Sequence, residues 1–171
     1  MKKVIYIFLV LATTIFANPL DFKTLKGDFT QTITNNGSKI EYKGSFIITK
    51  ELALWHYESP AKKDIYVSKE KAVMIEPLLE QAIITSLKET PNLNNILDNA
   101  TKKSKDLYEA TYEDIIYKIE LKNNLLNRIS YKDNLDNSVV IDIKNLKKDL
   151  ELDETNLIPM IPKDYDVVYN N

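Results

Sequence analysis

The sequence predicts a mainly β protein, built as one antiparallel sheet that curls on itself beneath a few short helices. Three observations carry this. Apolar residues alternate with polar ones in run after run, most clearly where Ile40, Tyr42, Gly44, Phe46 and Ile48 interleave with Lys39, Glu41, Lys43, Ser45, Ile47 and Thr49. That two-residue period gives a strand one dry face and one mostly wet face. Turn signals separate the runs at short intervals. Segments with helical spacing are few and short, so they cover little of the apolar face that the strands create.

Lys2 and Lys3 precede an apolar run from Val4 to Phe16, and Ala17 supplies a small residue before Asn18. This is the layout of a secretory signal peptide over residues 1–17. The run is shorter than the roughly 20 residues of a membrane-spanning helix. Residues 18–171 are then expected to form a single domain, since no repeat or linker interrupts them.

Within that domain, Leu20, Phe22 and Leu25 are expected on one face of a short helix. Phe29 leads a strand that ends at Asn36-Gly37, a strong hairpin signal before the strand 39–49. Ala53 to Glu58 alternates again, with Trp55 and Tyr57 on one side, and Ser59-Pro60 ends it. Short strands follow at 64–68 and 72–76, closed by Pro77. From Gln81 the β-branched Ile83, Ile84 and Thr85 favour a further strand. Pro91 ahead of Leu93, Ile96 and Leu97 predicts a short amphipathic helix. Beyond the polar TKKSK segment, alternating runs lie around Ile115–Leu121, Leu125–Tyr131 and Val139–Ile143, with turns at Glu113-Asp114, Asn123-Asn124 and Asp133–Asn137. A helical turn is expected within 149–156. The proline-flanked end, LIPMIPKDYDVV, reads as an edge strand or an extended lid.

Composition narrows the function. The chain carries 23 basic and 25 acidic side chains, and leaving off Lys2 and Lys3 lowers the basic count to 21, a net charge of −4. Both signs are interspersed, which argues against general nucleic-acid binding. Arg128 is the only arginine, and three glycines leave no phosphate loop. With no Cys there is no disulfide framework and no lipid attachment site. His56, the only histidine, has neither a cysteine nor a second histidine to build the usual zinc site. No nucleophile elbow accompanies it, and the turn carboxylates, such as Asp114, Asp142 and Asp149, read as solubilising. No enzyme, metal or cofactor is expected.

A sheet with many dry faces and little helix must curl. Curled tightly, it is filled by side chains; curled loosely, it encloses a cavity. The residues leave both open.

The runs Phe29-Thr30-Gln31, Leu52-Ala53-Leu54-Trp55-His56-Tyr57, Ser59-Pro60, Ile65-Tyr66-Val67-Ser68, Pro77-Leu78-Leu79-Glu80-Gln81-Ala82 and Pro162-Lys163-Asp164-Tyr165-Asp166-Val167 succeed one another, around the Gly44 strand. In order and spacing they resemble the periplasmic outer-membrane lipoprotein carriers, the LolA family, over most of the chain after residue 17. The resemblance implies an open antiparallel β-barrel, or half-barrel, with a helical lid over an apolar cavity. It implies a monomeric periplasmic carrier, without cofactor or metal. Such a carrier takes acylated lipoproteins from an inner-membrane lipoprotein-releasing ABC transporter and delivers them to the outer membrane or its lipoprotein receptor. On that reading Leu20, Phe22, Leu25, Phe29, Ile40, Tyr42, Phe46, Ile48, Trp55, Ile65, Val67, Ile83, Leu93, Ile96 and Leu97 line or lid the cavity. The family's arginine, six residues ahead of its tryptophan, helps latch the lid; here Thr49 holds that position and Lys50 follows as the latch candidate. The family's V-S-D-G turn is Val67-Ser68-Lys69-Glu70, without its glycine. A lipid-binding or lipoprotein-sensing domain on the same fold is the second reading, and a small periplasmic hydrolase or structural domain the third.

Overall fold

The computed structural model describes residues 18–86, 93–112 and 114–170. The expected signal peptide, Pro91 and Glu113 lie outside them. Among the described residues twelve strands form one sheet: β1 (Thr24–Asn35), β2 (Ser38–Thr49), β3 (Ala53–Ser59), β4 (Lys63–Val67), β5 (Lys71–Glu76), β6 (Gln81–Ser86), β7 (Thr101–Lys102), β8 (Leu107–Tyr112), β9 (Ile115–Lys122), β10 (Leu125–Lys132), β11 (Ser138–Lys148) and β12 (Asp166–Asn170). Their spatial order is β12-β6-β5-β4-β3-β2-β1-β11-β10-β9-β8-β7. Two meanders, β1 to β6 and β7 to β11, are joined where β1 pairs with β11. The sheet stays open, with β12 and β7 as its edges.

The turn chemistry sets the register. Asn36 and Gly37 both have positive φ, 46° and 82°, and so do Asn123 and Asn124, at 52° and 63°. Two such residues in succession make the hairpin turn that matches strand twist. Gly44 is required by a close approach: a Cβ there would lie 1.9 Å from the His56 carbonyl oxygen and 3.0 Å from the Phe29 ring. β3 can therefore press against β2 only over a glycine.

The sheet must curl. Phe46 on β2 and Tyr108 and Ala110 on β8 belong to one buried cluster, together with Ile96 and Leu97 of helix α1 (Leu93–Asp98). Five strand spacings separate β2 from β8. Laid flat, that distance would be about 24 Å, so only a curled sheet brings them to one helix.

Two expectations are corrected. Leu20, Phe22 and Leu25 do not share a helix. Asn18 Oδ1 accepts from Leu20 N at 3.1 Å, and its carbonyl accepts from Asp21 N at 3.0 Å, which makes a turn. The chain is extended from Thr24, paired with β2 on one side and β11 on the other. A nine-residue segment is too short to hold a helix alone, and two ladders outweigh its helical spacing. All three residues are still buried. The second correction concerns the C-terminus, which forms an edge strand but a parallel one, β12 along β6. A parallel strand needs a long crossover, and residues 149–165 provide it. A 3-10 turn at Glu154–Leu157 is capped by Asp153, whose carboxylate accepts from Thr155 N at 3.0 Å. Further along, Ile161 and Tyr165 pack on Val73, Ile75 and Ala82, on the outer face of β5 and β6. The segment thus covers the outside of the sheet and is not a lid.

Candidate functional site

Cross-strand partners point to the same face of a sheet, so the register assigns the candidate residues. Leu25 pairs with Ile48, Phe29 with Gly44, Gln31 with Tyr42 and Ile33 with Ile40. Phe46 pairs with Trp55, and Trp55 with Ile65. Val67 pairs with Ala53, Ile65 with Met74, and Met74 with Ile83. Leu25, Phe29, Ile40, Tyr42, Phe46, Ile48, Trp55, Ile65, Val67 and Ile83 therefore occupy one face, the inner face of the curl. Leu20, Phe22, Leu93, Ile96 and Leu97 pack against the same cluster from off the sheet.

One end of this trough is plugged. Leu97 is 1% exposed and Ile96 is 6%. Asn94 Nδ2 donates to the Thr49 carbonyl at 2.6 Å, while Asn94 Oδ1 is buried with no hydrogen-bond partner among the described residues. Lys50 Nζ lies 3.3 Å from Asp98 Oδ1 on α1, 3.5 Å from Asp21 Oδ1 and 4.7 Å over the Phe22 ring. Lys50 thus joins the end of β2 to the helix and to the N-terminal turn, through carboxylates rather than backbone carbonyls. These pairs are solvent-exposed, so each is worth under about 1 kcal/mol. Burial of Ile96 and Leu97 supplies roughly 1.5–3 kcal/mol apiece. The unpaired amide oxygen of Asn94 subtracts about 1–3 kcal/mol.

The middle of the trough is filled. Phe46, Ile48, Ile119 and Ile129 are each buried, and Phe29 makes edge contacts with Trp55 at 5.2 Å and Tyr57 at 5.0 Å.

The other end is open and mixed in character. Ile40 is 51% exposed. Tyr57 Oη donates to Gln31 Oε1 at 3.1 Å. Lys63 Nζ sits 4.9 Å over the Tyr57 ring and 5.6 Å over that of Tyr42. Burial, with the neighbouring Tyr131 and Tyr42, pushes the Tyr57 hydroxyl up to about 12. Burial, with Tyr117 and Asp133, does the same to Tyr131. Here β9 and β10 part: their pairing stops at Lys118 and Ser130, although β9 starts at Ile115 and β10 runs to Lys132. A cavity of about 540 Å³ lies at the gap, lined by Ile115, Tyr131 and Val139 of the inner face and, for the larger part, by the outer-face Ile116, Lys118, Ser130, Lys132, Ser138 and Val140.

The outer face is polar over the strands around β1. Arg128 Nη2 meets Asp142 at 2.6 Å there. His56 Nδ1 lies 2.5 Å from Asp64 Oδ1 on the same side of the sheet as Ser45, away from the trough. Among the described residues no cluster of three or more His, Cys, Asp or Glu is placed to hold a metal ion.

A curled open sheet with a mainly apolar inner face and a short helix at one end can hold apolar chains. Residues 21–114 match the model of the outer membrane lipoprotein carrier protein LolA. The chain belongs to the LolA family. It is 38% identical to an outer-membrane lipoprotein carrier protein of Campylobacter jejuni, over 98% of this chain and 99% of that one. It is 30% identical to a protein of the same description from Wolinella succinogenes, over 85% and 86%. An uncharacterized conserved protein of Thermus thermophilus shares the fold at a TM-score of 0.55 and 12% identity, over 90% of this chain and 94% of that one. The LolA resemblance seen in the motifs thus holds for the family, and the open sheet agrees with it.

The sequence did not single out Lys63, Asn94, Asp98 or Asp21, and Gln31 entered only as part of the Phe29-Thr30-Gln31 run. Register places Lys63 on the inner face and packing buries Asn94 against the end of β2, whereas Asp21 and Asp98 stay exposed. A lysine two residues ahead of Ile65, in phase with it, was the one available signal for Lys63.

Proposed function

We propose that this chain is a non-enzymatic periplasmic carrier of lipoproteins. It takes the acyl chains of cargo released by an inner-membrane ABC transporter, shields them from water and delivers them to the outer membrane or a receptor there. The observation that carries this reading is the continuous aromatic and aliphatic inner face, plugged at one end by α1. Family membership and the near full-length similarity to named lipoprotein carriers support it.

The physical problem of such a carrier is release. Burying acyl methylenes is worth roughly 0.8 kcal/mol each, so several long chains would bind almost irreversibly in an empty preformed cavity. The middle of this trough is occupied by the protein's own side chains. Cargo chains must therefore displace Leu93, Ile96 and Leu97, with Leu20 and Phe22, from Phe29, Phe46, Ile48 and Trp55. The cost of undoing that packing offsets part of the chain burial and keeps transfer reversible. Lys50 acts as the latch, tying β2 to α1 in the empty state. Leu25, Ile40, Tyr42, Ile65, Val67 and Ile83 extend the surface on which the chains lie.

The test is binding of one lipoprotein in triacylated and non-acylated forms to the purified chain. Capture of the acylated form alone is expected. Equal capture of both would overturn the reading.

A further inference from the structure

The open end of the trough holds hydrogen-bond donors that the fold does not use. On β1 to β4 the inner face carries a single charged side chain, Lys63, paired across the ladder with Tyr57. The strand lysines Lys39 and Lys43 point outward, where both meet Glu41. Lys63 makes no ion pair among the described residues; its ammonium rests on the rings of Tyr57 and Tyr42. An ammonium has three donors, and aromatic faces attract its charge without accepting conventional hydrogen bonds. Across the Tyr57 ring, Gln31 accepts the tyrosine hydroxyl proton through Oε1. That leaves the two N–H groups of its Nε2 without a protein partner among the described residues. The pair is rich in donors and holds no carboxylate, and it borders a surface of Phe29, Trp55 and Tyr57 that is otherwise apolar.

We propose that Lys63 and Gln31, set on either side of Tyr57, form a clamp for the ester carbonyl oxygens at the head of a multi-acyl lipid. This rests on the carrier reading and adds a direction to it: the heads sit at the open end and the chain methyls point towards α1. Ester carbonyls accept hydrogen bonds and donate none, which matches the unused N–H groups of Lys63 and Gln31. Two separate donor groups suit two carbonyls of a glyceryl diester better than one anionic head. Lys63 needs no counter-charge, because it remains partly hydrated and cushioned by the rings. The clamp also fixes depth, because carbonyls held at the rim let each chain run inward along Phe29, Trp55 and Phe46.

The test compares a diacylglyceryl-cysteine lipopeptide with its dialkyl ether analogue of equal chain length, on the full chain. The ether keeps the apolar burial and lacks the carbonyls. The wild type is expected to bind the ester about tenfold more tightly, the range of one or two hydrogen bonds to a charged or amide donor. Gln31→Leu/Lys63→Met is expected to bind both analogues equally, at the affinity of the wild type for the ether. Lys63→Met alone, which leaves β1 untouched, is expected to lose part of the preference. Equal binding of ester and ether by the wild type, or a preference that survives in the double variant, would overturn the clamp. Palmitate binding that depends on Lys63 and exceeds that of the ester would also overturn it, by assigning the donors to a carboxylate. Failure of the carrier reading looks different: neither analogue would bind, whatever the linkage.

Discussion

Leu97→Ala tests whether α1 competes with cargo. Leu97 is 1% exposed and packs in the cluster that joins β2 to β8. Truncating a leucine at such a site costs about 2–5 kcal/mol. The Lys50 pairs and the Asn94 hydrogen bond are untouched, so the loss falls on the seating of α1 against the sheet. If cargo binds only when the helix is displaced, the observed affinity equals the intrinsic affinity multiplied by the fraction displaced. Lowering the cost of displacement by even 2 kcal/mol raises a small displaced fraction roughly 30-fold. Leu97→Ala is therefore expected to bind a triacylated lipopeptide more tightly and to release it more slowly to vesicles, while its own thermal stability falls. Trp55 fluorescence can follow binding, and vesicle transfer can follow release. Weaker binding by a variant that remains folded would refute the reasoning, because it would make Leu97 part of the cargo surface and not its competitor.

Other expectations follow from single observations. Gly44→Ala should lose about 2 kcal/mol or more in urea denaturation, since its Cβ would meet the His56 carbonyl oxygen; an unchanged midpoint would contradict the close approach of β3. Tyr57 and Tyr131, both raised to about 12, keep their protons longer in the folded than in the unfolded chain. Their contribution is full below about pH 10 and is lost as pH rises towards 12. Phenolate absorbance should show a late-titrating component that Tyr57→Phe and Tyr131→Phe remove. Lys50→Glu should place a carboxylate beside Asp98 and Asp21 and lower the hydrogen-exchange protection of the α1 amides. Lys50→Met should change global stability by under about 1 kcal/mol.

Much of the fold was legible because its causes are local. Asn36-Gly37 and Asn123-Asn124 dictate tight turns through their backbone preferences, and the even-numbered residues of β2 need only a two-residue period to be placed on one face. What escaped has distant causes. The stretch from Leu20 to Leu25 has helical spacing, yet Thr24 finds Thr49 on one side and Leu25 finds Lys148 on the other, and neither partner is visible locally. The parallel pairing of β12 depends on where residues 149–165 cross, which follows from a second apolar patch of Val73, Ile75 and Ala82 on the outer face. That patch is hidden in the sequence because β5 and β6 are apolar on both faces and so lack clean alternation. The candidate residues all lie on the inner face or pack against it from α1 and the N-terminal turn, a placement that the two-residue period and helical spacing foreshadow. Their division into a plugged end, a filled middle and an open end was not legible. It depends on which hairpin turns share an end of the sheet, and on the parting of β9 and β10 beyond Ser130.

The inner face as the acyl-chain surface is tested most directly by photo-crosslinking at neighbouring positions of one strand. Ile65 faces the trough and pairs with Trp55, whereas Tyr66, the next residue, faces outward and packs with Val73. A photoreactive residue at 65 should label the acyl chains of a bound triacylated lipoprotein, and the same residue at 66 should not. Equal labelling at both positions, or labelling at 66 alone, would contradict the account.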